Sequence, residues 1–371
     1  MKVPSDIRRG LILISVGILL SVICGVLHPF EPRYQGKRLT AWAADLLAPE
    51  EFWDTQPTPA ALANQDKAAA AIRHFGIKAM PLAIKWCGVE DSALKEKLKD
   101  LVNGQKTFQV QIPSDYDYQS RGVRIFEVLG PIAKPAIPSL IKLFQKKRPY
   151  TFSTVSCALH YIGTDAIPPL IEALTNYNEH VRTDAATALG SFESQARDAA
   201  PALIQCLKDE NPRVRSAAAM SLARLGGDTN AVISAMLPCL KDKDVRVREM
   251  AAISLGDIHQ KPETVVPALL ASIEKETDIV PINYLLGGMA RFGTNARPAI
   301  PVLVKIIESK RIMVADHALG ALRKIDPDVA KPFVEKQRKS LIKTNLDYLL
   351  LQTNAPAETN VPNSPMKPDG F

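Results

Sequence analysis

The chain has 371 residues and a formal net charge of +7 at pH 7, with 46% hydrophobic, 6% aromatic and 23% charged residues. So small a positive excess on so long a chain does not argue for a nucleic-acid ligand. Five cysteines without a CxxC or any metal-ligand spacing argue against a disulfide framework and against a zinc site.

Lys2, Arg8 and Arg9 precede Leu11 to Leu27, 17 residues without a charge. At 1.5 Å per residue that segment spans about 26 Å, short of a ~30 Å hydrocarbon layer unless residues up to Phe30 help. It reads as a signal peptide or a membrane anchor. No small-x-small cleavage site follows it, and Ser21, Val22 and Ile23 do not place a small residue immediately before Cys24 as a lipoprotein site requires. Residues 1–30 are therefore expected to be an uncleaved single-pass anchor. Arg33, Lys37 and Arg38 balance the leading basic residues, so charge orients the segment weakly. A very short basic lead generally stays in the cytoplasm, which puts the remainder on the extracytoplasmic (periplasmic) side.

Residues 31–59 read as a Pro-rich juxtamembrane linker holding one short helix. Arg38 to Leu47 places Leu39, Trp42 and Leu46 on one side, suited to capping the first helices of a stack or, with Trp53, to a bilayer surface. A repeating helical domain is expected over residues 60–351. Val181-Arg182, Val214-Arg215 and Val247-Arg248 stand 33 residues apart (181, 214, 247) and open VRTDAATALGSF, VRSAAAMSLARL and VREMAAISLGDI. A period of ~20–50 residues signifies stacked repeats.

In the second copy Val214, Ala218, Leu222 and Leu225 fall on one stripe of a helix, helix A. Asn178, Asn211 and Asp244, three residues before each Val, are expected to cap it, and Pro212 fits its first turn. After a short break a second apolar helix, helix B, carries Leu203, Cys206 and Leu207 on one face. The residues closing helix A are Phe75, Leu129, Ile162, Phe192, Leu225, Ile258, Phe292 and Ile325, about eight units in one frame. The single large insertion, Asn103 to Gln119, is polar and reads as a loop.

Helix B recurs with a proline near its start at Pro81, Pro138, Pro168, Pro201, Pro267, Pro301 and Pro332. In the fifth unit Pro238 lies deeper, so that helix B starts late or kinks. Phe333 to Leu350 form a longer amphipathic helix closing the end. Residues 352–371, rich in Asn, Pro, Thr and Ser, are expected to be a disordered tail. Cys206 and Cys239 occupy equivalent places, too far apart for a bridge between packed helices, and the cysteines are expected to be buried, inert thiols.

The VRxxAAxALG wording of these copies resembles the short bacterial variety of the HEAT-repeat family. The resemblance implies an all-α, right-handed α-solenoid of helical hairpins. It also implies an inter-repeat ladder from Asp209, six before Arg215, and Asp242, six before Arg248, with Asn176 in the place of the Asp before Arg182. The ankyrin TPLH signature and the tetratricopeptide Trp/Gly/Tyr pattern are missing.

Chemistry is not signalled. The histidines occupy different repeat offsets, and Glu179-His180 reverses the His-Glu order that di-iron HEAT-type hydroxylases need. No GxSxG, P-loop or dinucleotide fingerprint occurs, so no catalytic, metal or cofactor residue is expected. The expected work is non-catalytic: a membrane-anchored scaffold for an unidentified protein or peptide. The alternatives are an enzyme of the bilin-lyase type on the same fold, by fold analogy, and a nucleic-acid-binding solenoid, which tethering disfavours. The candidate partner-binding row lies four residues after each helix-B proline: Lys85, Lys142, Glu172, Gln205, Ala271, Lys305 and Lys336, with Pro238 in the fifth unit. It is basic at both ends and nearly neutral in the middle. HEAT-type geometry implies that it lies on or near the concave side, where a protein accepts a neutral centre and a nucleic acid wants continuous positive charge.

Overall fold

Helix A begins where a side chain satisfies the free amides of the first turn. The computed structural model of the chain describes residues 31–46, 58–88, 114–145, 151–309 and 312–339. In it Asn178, Asn211 and Asp244 accept hydrogen bonds from the N–H groups of His180, Arg213 and Arg246, each at 2.9 Å. These are the expected caps, and Pro212 stands in the first turn as expected.

Two short strands, β1 (Arg33–Tyr34) and β2 (Lys37–Arg38), and α1 (Leu39–Ala44) precede the repeats. Hairpins of helix A and helix B follow: α2 (Pro59–Phe75) with α3 (Met80–Cys87), α4 (Asp115–Leu129) with α5 (Ile137–Leu143), and α6 (Thr151–Ile162) with α7 (Ile167–Ala173). Next come α8 (Glu179–Ser191) with α9 (Ala200–Cys206), α10 (Pro212–Leu225) with α11 (Thr229–Met236), and α12 (Val245–Ile258). The described chain divides after Ile258, and a second unit begins at His259. That unit holds α13 (Pro262–Lys275), α14 (Ile279–Ala290) with α15 (Ile300–Ile307), and α16 (Ile312–Ile325), followed by the helical residues 327–339. The chain is thus a nearly all-helical repeat protein.

Helix A packs on helix A. In the first unit α4 lies against α6, α6 against α8, α8 against α10 and α10 against α12; in the second, α14 lies against α16. Small residues set the approach. Ala185, Ala186, Ala188 and Gly190 of α8 and Ala217, Ala218, Ala219 and Ser221 of α10 are buried. Ser221 Oγ donates to the carbonyl of Ala186 at 2.7 Å across the helix pair. A Cβ built on Gly190 would stand 2.5 Å from Ser221 Oγ, so a side chain there would push the two helices apart. The expected stripe of α10 is buried throughout, with Val214, Ala218 and Leu225 at 0% and Leu222 at 1% exposure.

Six of the eight expected closing residues end their helices, and Phe192 and Phe292 lie just beyond Ser191 and Ala290. The residue that follows takes a left-handed φ in seven units: Gly76, Gly130, Gly163, Gly226 and Gly293, but also Glu193 (φ 49°) and His259 (φ 52°). An L-residue there costs roughly 1–2 kcal/mol, partly offset by the entropy a glycine loses on folding. Glu193 is exposed, so nothing else is lost with its side chain. Glu193→Gly is expected to stabilise the protein by about 0.5–1 kcal/mol, read as a higher urea midpoint; an unchanged or lower midpoint would show the conformation to be unstrained.

The break between the helices is more ordered than expected. Most elbows are short 3-10 helices, such as Gly76–Ala79, Gly130–Ala136 and Glu193–Ala199. Prolines 81, 138, 168, 201 and 301 stand in the first turn of helix B. Pro267 does not, because α13 already begins at Pro262 and carries Pro267 inside it. In the fifth unit helix B does not start late. Asp228 caps α11 through the N–H groups of Asn230 and Ala231, and at Pro238 the chain tightens into the 3-10 turn Leu237–Lys241.

The linker holds an element the sequence reading missed. Gln35 (φ 49°) and Gly36 (φ 76°) make a two-residue turn between β1 and β2, the left-handed pair that a tight hairpin requires. The short helix α1 caps the stack as expected: Leu39, Trp42 and Ala43 are buried, and Trp42 Nε1 donates to the carbonyl of Tyr34 at 3.1 Å. Trp53 lies outside the described residues. The insertion is not loop to its end, since Asp115 to Gln119 form the first turns of α4. Ser114 and Asp117 make a reciprocal capping box there, a sequence signal in plain view.

The segment Leu11 to Leu27, expected to be a transmembrane helix, and residues 340–371, with the expected tail, lie outside the described residues. Among the described residues no helix is long and apolar enough to cross a membrane.

Candidate protein-binding face

Arginine is the side chain most deeply committed to holding one repeat on the next. Arg182, from the first turn of α8, makes two hydrogen bonds to Asp209, Nε to Oδ2 at 2.8 Å and Nη2 to Oδ1 at 2.9 Å. Arg215 of α10 repeats the fork on Asp242 at 2.8 and 2.7 Å. Each guanidinium also donates to two carbonyls of its own leading loop, Asn176 and Tyr177 for Arg182 and Asp209 and Glu210 for Arg215. Each carboxylate in turn accepts the N–H of the next cap, Asn211 or Asp244.

The inter-repeat ladder implied by the family resemblance therefore exists, with each arginine reaching the aspartate of the next repeat. The carboxylate partner lies 27 residues after its arginine, and the residue six before an arginine serves it through a carbonyl. Asn176 consequently weakens nothing at Arg182. It offers its carbonyl to Arg182 and its Oδ1 to the N–H of Asn178 at 2.9 Å. Both arginines are buried, so neither is available to an external anion.

With those cations used internally, the regular polar feature left facing solvent is helix B. Lys85, Lys142, Glu172, Gln205 and Pro238 are exposed on successive hairpins of the first unit, and Lys305 and Lys336 are exposed in the second. Ala271 is half-buried. The cause is local: the residues one and two positions after Glu172, and likewise after Gln205, turn inward as Ala173 with Leu174 and Cys206 with Leu207, so the row position itself must face out. Helix α5 packs beside α7, which brings Lys142 and Glu172 onto adjacent helices.

The family model described as HEAT repeats matches three overlapping stretches, 137–208, 167–239 and 200–281. They cover the hairpins that carry the arginine ladder. Residues 137–281 are HEAT repeats. No curated protein matches the chain. Among solved structures the chain is similar to an engineered protein, with a TM-score of 0.38 and 23% identity over 54% of this chain and 92% of that one. It is similar to the karyopherin Kap121p bound to Pho4p, with a TM-score of 0.48 and 14% identity over 85% of this chain, and spans 38% of that chain. It is also similar to the YibA protein of E. coli, with a TM-score of 0.39 and 17% identity over 80% of this chain and 99% of that one.

Three of the four described thiols face inward. Cys87, Cys206 and Cys239 are free and buried, whereas Cys157 is free and exposed, against expectation. Burial first, then the neighbouring Asp209 or Asp242, pushes the Cys206 and Cys239 thiols up to about 11, away from thiolate chemistry. Burial alone pushes Asp184 of α8 up to about 7. Among the described residues no three His, Cys, Asp or Glu side chains gather as a metal site.

One feature the sequence did not signal is a groove of about 340 Å³ in the second unit between α14 and α16. Gly287 and Gly320 line it, with Asn283, Asp316, His317 and Lys324. A Cβ on either glycine would meet nothing within 4 Å, so small residues on two adjacent A helices create the space.

Proposed function

We propose that this protein is a non-catalytic scaffold, anchored in a membrane through Leu11 to Leu27, whose helix-B row binds another protein or peptide on the extracytoplasmic side. The observation that carries the reading is the exposed row itself: Lys142, Glu172 and Gln205 stand at one offset on successive hairpins, while Arg182 and Arg215 are consumed inside the stack. A row with an acidic and a neutral member at its centre suits a protein better than a polyanion. The anchor rests on the uncharged segment behind a basic lead.

The test is capture from the native membrane by the full chain, with quantitative mass spectrometry of what copurifies. Glu172→Arg with Gln205→Arg, both at exposed positions, is expected to lower recovery of the specific partner about tenfold, the loss of one interfacial anchor. The chain is expected to stay with membranes through a carbonate wash and its repeats to be digested by protease added outside the inner membrane. Unchanged capture by the double variant removes the row. Tight binding of duplex DNA or RNA that falls steeply between ~50 and ~200 mM salt replaces the reading with a nucleic-acid solenoid.

A further inference from the structure

The β-hairpin places the start of the described chain at one edge of the first unit. Tyr34 lies tilted by 34° against His74 with ring centroids 4.3 Å apart and meets Phe75 edge-on at 6.3 Å. His74 and Phe75 are the last residues of α2, so the hairpin sits beside the elbow Gly76–Ala79. That elbow touches the next one, Gly130–Ala136, which touches Thr164–Ala166. The elbows of the first three hairpins thus form one continuous edge.

This edge is unusually apolar for one facing water. Ile77 is 58% exposed, Ile132 55% and Tyr161 39%, one from each hairpin. The carbonyl oxygen of Tyr161 lies 3.9 Å from the place a Cβ on Gly130 would take, which fixes it next to the second elbow. Exposed basic side chains stand on the same elements: Arg33 on β1, Arg73 in the last turn of α2 and Lys78 in the first elbow, and Lys134 of the second elbow is held by Asp165 at 2.8 Å. Large aliphatic side chains among cations, with a tyrosine at the margin, are what the headgroup layer of an anionic bilayer accommodates.

Chain length selects the occupant. Three residues, His28 to Phe30, separate Leu27 from Glu31, so the four Cα-to-Cα steps reach about 14 Å at full extension. With the anchor of the proposed function in place, the hairpin and the elbow beside it are held against the membrane surface. Resting on that anchor reading, we propose that the elbow edge of the first three hairpins lies on the membrane, with Ile77 and Ile132 inserted at headgroup level and the basic residues on anionic lipid. The helix-B row would then be presented by a domain docked on the bilayer, not one swinging freely from its tether.

The experiment places an environment-sensitive fluorophore on the full chain, reconstituted in vesicles of phosphatidylcholine and phosphatidylglycerol. Labels go on Ile77→Cys, Ile132→Cys and, as a control in an exposed loop between hairpins, Tyr177→Cys, in a background of Cys24→Ser and Cys157→Ser. The expected result is blue-shifted emission at 77 and 132 and quenching by a nitroxide-labelled lipid about threefold stronger than at 177. If the chain stays with the vesicles through a carbonate wash while aqueous iodide quenches all three labels alike, the docked edge is overturned and the anchor stands. Loss of the chain in the wash overturns both. Labels at 77 and 132 that are shielded from iodide yet untouched by the lipid quencher show the edge covered by a second copy of the chain, which also overturns the proposal.

Discussion

Leu222→Asp is expected to destabilise the first unit by about 4 kcal/mol or more, the range that follows from burying a charge without a partner. Leu222 is 1% exposed, and its stripe neighbours Val214, Ala218 and Leu225 are fully buried. The carboxylate would stand in the buried apolar stripe of Val214, Ala218 and Leu225, none of whose side chains can donate a hydrogen bond. Protonation would relieve the charge but not the lost apolar contacts. Leu222→Met, which conserves volume, is expected to cost less than about 1.5 kcal/mol. Urea unfolding of the full chain in detergent, followed by far-ultraviolet circular dichroism, measures both. Equal midpoints for Leu222→Asp and the unaltered chain would remove Leu222 from the core.

Arg215→Met is the second large effect, expected at about 3 kcal/mol because it strips one partner from a shielded ion pair. The Asp242 side chain is only 14% exposed, and the carbonyls of Asp209 and Glu210 lose their donor as well. The variant also has a pH signature. Burial alone would raise the Asp242 carboxyl, but the Arg215 hydrogen bonds, the N–H of Asp244 and the guanidinium charge together hold it below the usual carboxylate range. Asp209 is lowered in the same way by Arg182 and the N–H of Asn211, against its burial.

A carboxyl lowered in the folded state contributes stability that is complete above the ordinary value near ~3.9 and is lost as pH falls through the folded value. The unaltered protein is therefore expected to lose stability below about pH 4 more steeply than Arg215→Met, in which Asp242 has lost its cation. Urea midpoints measured from pH 6 down to pH 2 decide the matter. Parallel acid limbs in the two proteins would mean that the Arg215 and Asp242 pair carries no linked stability.

Local signals were legible in the sequence because they act within one turn of chain. Asn178, Asn211 and Asp244 cap amides two residues away, and Val214, Ala218, Leu222 and Leu225 share a face by helical geometry alone. The exposed row from Lys85 to Gln205 followed equally from the inward residues beside it. The tertiary structure decided what depends on how hairpins stack. Arg182 reaches Asp209, 27 residues away, because packing α8 on α10 carries the next loop over the guanidinium; the six-residue spacing visible in the sequence marks only a carbonyl contact. Glu193 and His259 adopt the left-handed conformation that glycine takes in five other units, since each hairpin must turn at the same place whatever residue is there. Ile77, Ile132 and Tyr161 read singly as scattered exposed residues, and become an edge only when three elbows are set side by side. Local caps and helix periods need only the near chain, whereas partners and surfaces are fixed by which elements the stack brings together.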